Sequence, residues 1–271
     1  NINHLPVLNL KGTREVLKTS WRVPQEVFNL AQRIIHKIPK NNRVQKEWRP
    51  REERGSVTEH YDISELQNNL KTGEWLILGR DKWRLNELEE FLKDHNIYYE
   101  RAKKNNPMKD KYAAIDLYEN KLKKGKALSY EECHEIKKKM LKNEWKPSLF
   151  KAMVKNKFYT MDMLKSDFGL NTDLPWQAAF TRMGKNDTDK INELIKRGED
   201  LKNGARIKLA TIHGVKGNER DNVVLSFKLS KACKDAYITN PDDEHRVMYT
   251  GTTRTKNNLH IILGGEGDYD K

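Results

Sequence analysis

Cysteine is nearly missing: Cys133 and Cys233 are the only two in 271 residues, and neither has a second thiol or a histidine cluster close by. That excludes a disulfide scaffold and argues against a zinc site, leaving two reduced thiols of the kind a cytosolic protein carries. Long apolar runs are missing too. Stretches such as Trp75-Leu76-Ile77-Leu78 fall far short of the roughly 20 residues that cross a bilayer, so no segment reads as membrane-spanning. The opening Asn1-Ile2-Asn3-His4 has neither an initiator Met nor the basic and apolar regions of a secretory signal, so the chain reads as a cytoplasmic piece of a longer protein. Repeats and low-complexity tracts are absent. Nor does the phosphate-cradling G-x-x-x-x-G-K-[ST] loop occur anywhere in the sequence.

What is present is charge, with enough apolar bulk to fold. Hydrophobic residues make up 36% and charged residues 34%, a balance that excludes wholesale disorder. The length corresponds to about two modest domains or one large one. Lys and Arg number 52 against 39 Asp and Glu, a net +13. A surplus of that size suits a polyanionic partner, nucleic acid above all, while an acidic substrate or a membrane surface would satisfy it as well.

Periodicity then divides the chain. From Ser20 to Pro39 the residues Val27, Leu30, Ala31, Ile34, Ile35 and Ile38 recur at helical steps, predicting an amphipathic helix. Residues 56–63 and 75–79 read as strands, Leu85, Leu88, Phe91 and Leu92 as a second helix, and Ile97-Tyr98-Tyr99 as a further strand, a unit that favours a parallel crossover. Near the C-terminus Ile207–Ile212 and Val223–Phe227 are buried-strand runs, followed by a helix over about 242–256 and a strand over 259–263. Both ends are therefore expected to build one α/β sheet. Between them, residues 103–202 are rich in Lys, Leu, Met and Glu and read as an inserted helical domain. Residues 101–165 hold 18 Lys and Arg against 8 Asp and Glu, a local +10. Such lysine-rich helices serve either as solvated faces or as a surface that tracks phosphates.

Two stretches carry chemistry. Ala210-Thr211-Ile212-His213-Gly214-Val215-Lys216-Gly217-Asn218-Glu219 follows a strand and sets hydroxyl, imidazole, amine and carboxylate groups around two glycines. A turn of this kind brings backbone N–H groups close to phosphates. Further on, Arg246 and Arg254 stand eight apart in a helical stretch, a spacing that puts both near one face and leaves one to hold structure while the other meets a ligand. On periodicity alone the two read equally well as surface ion-pair residues. A guanidinium aimed at a transferring γ-phosphoryl would instead stabilise transition-state charge.

In their order these stretches resemble the C-terminal motor half of superfamily 1 helicases of the UvrD/Rep/PcrA type. Ser20-Trp21-Arg22-Val23-Pro24 is similar to motif IV, and Leu76-Ile77-Leu78-Gly79-Arg80 with Glu87-Leu88-Glu89 to motif IVa. Thr211 to Glu219 resembles motif V and Glu244 to Lys256 motif VI, with Thr-Ile-His-Gly-Val-Lys-Gly closest to the phage and bacterial branch. The resemblance covers both ends of the chain and constrains the insertion little.

By that resemblance residues 1–102 and 203–271 form the second RecA-like domain, 2A, a parallel sheet flanked by helices of the P-loop NTPase type, and residues 103–202 a reduced, mainly helical 2B. Arg22 and Arg254 are implied to reach the γ-phosphate as catalytic residues, Glu219 to contact the ribose, and Gly217 to belong to the same ATP site. Thr211, His213 and Arg80 are implied to face single-stranded DNA. Trp21 stands where the family usually has tyrosine, which implies a retained aromatic packing role. The implied substrate and cofactor are ATP and Mg²⁺, the ion held mainly by a first RecA-like domain. That domain also carries the phosphate loop and would precede Asn1, so this chain alone is expected to hold no metal and to turn over no ATP. Implied partners are single-stranded DNA, single-strand/duplex junctions and that first domain, with no membrane involved. The resemblance implies a 3′–5′ DNA helicase. The rival is a non-catalytic nucleic-acid-binding module on the same scaffold, and no nuclease constellation is visible.

Overall fold

A computed structural model describes residues 19–43, 47–104, 106–215 and 217–270. The chain divides into two compact units, one of residues 1–104 with 206–271 and one of residues 105–205. In chain order the first unit begins with α1 (Gln25–His36), β1 (Ser56–His60), β2 (Trp75–Gly79), α2 (Lys82–Asp94) and β3 (Glu100–Arg101). The second unit holds α3 (Pro107–Ile115), β4 (Leu128–Ser129), α4 (Tyr130–Lys137), α5 (Pro147–Phe150), β5 (Phe158–Tyr159), α6 (Met161–Ser166), α7 (Trp176–Ala179) and α8 (Lys185–Lys196). The chain then returns to the first unit with β6 (Ile207–Thr211), β7 (Arg220–Ser226), α9 (Lys231–Thr239), α10 (Pro241–Thr252) and β8 (Thr255–Ile262).

In the first unit six strands form one sheet in the order β1-β8-β7-β2-β6-β3, every neighbouring pair parallel. β2, Trp-Leu-Ile-Leu-Gly, is buried at every position, as a strand covered on both faces requires. Its side chains alternate between two cores. Leu76 and Leu78 join Val223, Leu225, Leu259 and Ile261 beneath α1 and α10, with Val27, Leu30, Ile34 and Met248 packed down on them. Trp75 and Ile77 join Ile207, Leu209 and Val224 beneath α2, which contributes Leu85, Leu88 and Leu92. The result is a parallel sheet flanked by helices, the RecA-like arrangement expected of the two chain ends.

Several boundaries differ from the sequence reading, each for a local reason. α1 starts at Gln25 because Pro24 stays extended at the N-cap (φ −78°, ψ 169°). β1 stops at His60 because Asp62 and Glu65 form a capping box that turns Ile63–Leu66 into a short helical turn. The third strand lies at Glu100–Arg101, pairing with Lys208 and Leu209, instead of at 97–99. The last helix ends at Thr252 and the strand begins at Thr255. The N–H groups of Thr253 and Arg254 close the helix end on Tyr249 and Gly251, and Thr255, fully buried, enters the sheet opposite Arg220.

Gly55 shows how tightly the first unit is closed. Its φ of +64° belongs to the left-handed region, and a Cβ there would stand 2.5 Å from Cγ of Pro24 and 2.7 Å from the carbonyl of Asn257. No side chain fits that crossing.

The second unit is mainly helical, with one short antiparallel pair in which Leu128 faces Tyr159 and Ser129 faces Phe158. Its core gathers Tyr118, Leu122, Cys133, Ile136, Trp145, Tyr159, Leu164 and Ile191. Burial pushes the Cys133 thiol up to about 12, so it packs as a small apolar group and stays protonated. Among the described residues no helix is long and apolar enough to cross a membrane.

Candidate ATP and nucleic-acid site

Strand register builds the first cluster. Because β7 and β8 run parallel with Arg220 opposite Thr255, the residues before each strand, Glu219 and Arg254, stand side by side, and the Arg220 N–H donates to the Arg254 carbonyl at 3.3 Å. An Arg254 guanidinium nitrogen donates to Oε1 of Glu219 at 3.3 Å, and one from Arg22 donates to the same oxygen at 2.5 Å. Arg22 arrives from the segment before α1. There Ser20 Oγ accepts from the N–H groups of Arg22 and Val23, and the Ser20 N–H donates to the Arg49 carbonyl.

Two guanidinium groups share one carboxylate, so the cluster keeps a surplus of one positive charge. Burial, and then the Arg22 charge, lower the Arg254 pKa, with Glu219 pulling the other way; an arginine stays ionised regardless. Nε of both arginines lacks a hydrogen-bond partner, but so does Nε of Arg84. The surplus charge, more than the orphan donor, marks this place as fit for a phosphate. Tyr249, whose phenol burial pushes up and the Arg22 charge pulls down, stands close to Arg22. The sequence reading missed it, although it lies in the same stretch as Arg254.

The loop before Glu219 is shaped by glycine. Gly217 has φ +85° with open space around its Cα, so its need is conformational. Thr211 ends β6, and its Oγ1 accepts from the Gly214 N–H at 3.2 Å; His213 is exposed in the turn Ile212–Val215. Lys216 and the opening Asn1-Ile2-Asn3-His4 lie outside the described residues.

Arg80 follows β2, whose last residue Gly79 pairs with Thr211. Thr211, His213 and Arg80 therefore occupy the carboxyl ends of the strands, while Glu219 and Arg254 precede the amino ends of β7 and β8. The two groups lie about five residues of strand apart, roughly 17 Å. Nε of Arg80 donates to both carboxylate oxygens of Glu244, at 2.7 and 2.9 Å, and Glu244 is only 2% exposed. Burial opposes the Arg80 charge, and the bonds to Glu244 outweigh it, raising its pKa. Glu244, in the first turn of α10, was read only as part of a motif; an acidic first turn is the signal that could have singled it out.

Two expectations need correction. Arg246 and Arg254 do not share a helix face, because Arg254 lies beyond the end of α10. Arg246 binds Asp243 and the Asn42 carbonyl. Trp21 does not pack: it is 86% exposed, an open indole beside Arg22.

Among the described residues no group of three or more His, Cys, Asp or Glu could hold a metal ion. Among curated proteins nothing matches the chain. The family model for the UvrD-like helicase C-terminal domain matches residues 118–265, more than half of the sequence. Its span takes in Thr211, His213, Gly217, Glu219 and Arg254, and leaves Arg22 and Arg80 outside. With the parallel sheet and the motif order already in place, this chain belongs to the UvrD-like helicase C-terminal domain family.

Proposed function

We propose that the chain is the second motor domain of an ATP-dependent DNA helicase that translocates 3′ to 5′ on single strands. The observation that carries the reading is the convergence of Arg22 and Arg254 on Oε1 of Glu219. A γ-phosphoryl group brought to this cluster by a first RecA-like domain competes with Glu219 for both guanidinium groups. Charge that builds on the phosphoryl oxygens in the transition state is then met by two fixed cations, the task of an arginine finger. Glu219, released from its partners, is left to accept a hydrogen bond from the ribose. Trp21 offers an open aromatic face beside them for the base. Mg²⁺, held by the first domain, neutralises the phosphates when bound.

At the other end of the strands Thr211 and His213 contact single-stranded DNA in this reading, at a strand or a single-strand/duplex junction. α10 joins the two ends: Arg80 holds its first turn through Glu244, and Arg254 follows its last. Closure of the two motor domains on ATP and their release after hydrolysis turn alternating grip into a step. The test is ATP turnover in a polypeptide where this chain follows a first motor domain bearing the phosphate loop. Arg254→Ala is expected to lower DNA-stimulated turnover about 10³-fold or more, with ATP binding largely kept. Turnover unchanged by the substitution would favour a non-catalytic binding module.

A further inference from the structure

The second unit carries a lysine-bearing stretch with no carboxylate of its own. Several lysines of this unit are matched, Lys121 with Glu132, Lys138 with Glu135 and Lys165 with Asp173. Residues 145–158, by contrast, hold four lysines and no carboxylate. Lys146, Lys151, Lys155 and Lys157 are all exposed, and among the described residues none has an ion-pair partner.

Their backbone is held firmly. The Tyr159 hydroxyl accepts from the Val154 N–H and donates to the Val154 carbonyl, both at 2.7 Å, closing the loop between them. Asn156 turns it with φ +64°, and Phe158–Tyr159 is anchored to Leu128–Ser129 by the strand pair. Strand alternation does the rest. Tyr159 points into the core at 1% exposure while Phe158 points out at 67%. An apolar ring displayed on a pinned loop, flanked by unpaired ammonium groups, pairs a stacking face with a phosphate-binding field.

We infer that Lys151, Lys155, Lys157 and Phe158 form a single-stranded nucleic-acid contact of the second unit, in which the lysines meet phosphates and Phe158 stacks on an unpaired base. Charge complementarity selects a polyanion, and the ring selects one with exposed π-faces, which duplex DNA does not offer along its length. The inference does not depend on the motor reading, since every residue in it belongs to the second unit.

The test uses the whole chain and fluorescein-labelled oligo-dT, with a duplex of equal length alongside, followed by anisotropy across a salt series. A Lys151→Ala/Lys155→Ala/Lys157→Ala variant should lower the slope of log affinity against log salt by about 2, since each lost phosphate contact on a single strand removes about 0.7. Phe158→Ala should weaken oligo-dT binding roughly 5- to 100-fold with the slope kept. Both effects should persist when Thr211→Ala/His213→Ala removes the proposed contact on the first unit. All four side chains are exposed, so the variants keep the fold. An unchanged slope in the triple variant overturns the inference. So does duplex binding tighter than oligo-dT with Phe158→Ala silent, and so does a surface that takes an acidic peptide but no oligonucleotide.

Discussion

Arg22 and Arg254, from opposite ends of the chain, donate to one and the same oxygen, Oε1 of Glu219. The parallel pairing of β7 with β8 puts Glu219 beside Arg254, and the segment leading into α1 delivers Arg22. Glu219 holds both guanidinium groups in position, and in the proposed function a phosphoryl group competes with it for them.

That relationship makes the cluster's stability depend on anions. Glu219→Ala leaves two part-buried cations facing each other, and at low salt the chain should lose about 1 kcal/mol, a figure already reduced for their partial exposure. Pyrophosphate should restore most of the loss in a thermal melt, because it binds the folded state alone. A variant melting like the parent, with no response to pyrophosphate, would argue against an anion site.

The Arg80–Glu244 pair is expected to matter to the fold. Removing one partner of a buried pair leaves an uncompensated charge, so Arg80→Ala should cost about 3 kcal/mol in urea denaturation. Arg80→Ala/Glu244→Gln should recover part of it. If Arg80→Ala keeps full stability and only DNA affinity falls, Arg80 is a strand contact and its bond to Glu244 is incidental.

Two glycines should respond differently to the same change. Gly217→Ala meets an unfavourable φ but open space and should cost about 1 kcal/mol. Gly55→Ala meets the φ and a collision with Pro24 and the Asn257 carbonyl as well, so it should cost clearly more. Equal midpoints of chemical denaturation for the two variants would contradict the packing described around Gly55.

Acid should destabilise the first unit through His260. Burial, and then the neighbouring His60, lower its pKa from 6.5 to about 4, with Nε2 of His60 3.1 Å from its Nδ1. The unfolded chain therefore binds this proton more readily, so the contribution is complete above pH 6.5 and is lost as pH falls toward 4. Discounted for partial exposure, the loss is on the order of 1 to 2 kcal/mol. Urea midpoints measured from neutral pH to pH 4.5 should show this decline in the parent and a shallower one in His260→Leu. Parallel declines would place the acid sensitivity elsewhere.

Much of this was legible because it is local. The helical steps of Val27, Leu30 and Ile34, and the unbroken apolar run of β2, announce buried elements directly. The glycine turn of 211–219 and the stretch around Arg254 carried the family resemblance. Other features depend on register and distance. Thr253-Arg254-Thr255 is polar throughout, so no hydrophobic pattern marks where α10 stops and β8 begins, and only the pairing of Thr255 with Arg220 decides it. Glu244 as the partner of Arg80 lies 164 residues away, beyond the reach of any periodicity. The β4–β5 pair has two residues a strand, too few to show alternation. The exposure of Trp21 depends on what its neighbours leave uncovered.

The most direct measurement is single-turnover ATP hydrolysis on single-stranded DNA, with this chain joined to a first motor domain, comparing Arg254 with Arg254→Lys and Arg254→Ala. A planar fork meeting transition-state charge predicts a loss of about 10³-fold for alanine, incomplete rescue by lysine, and little change in ATP affinity. Hydrolysis at the parent rate in Arg254→Ala would contradict a catalytic role for the arginine cluster and leave Arg254 as an ion-pair partner of Glu219.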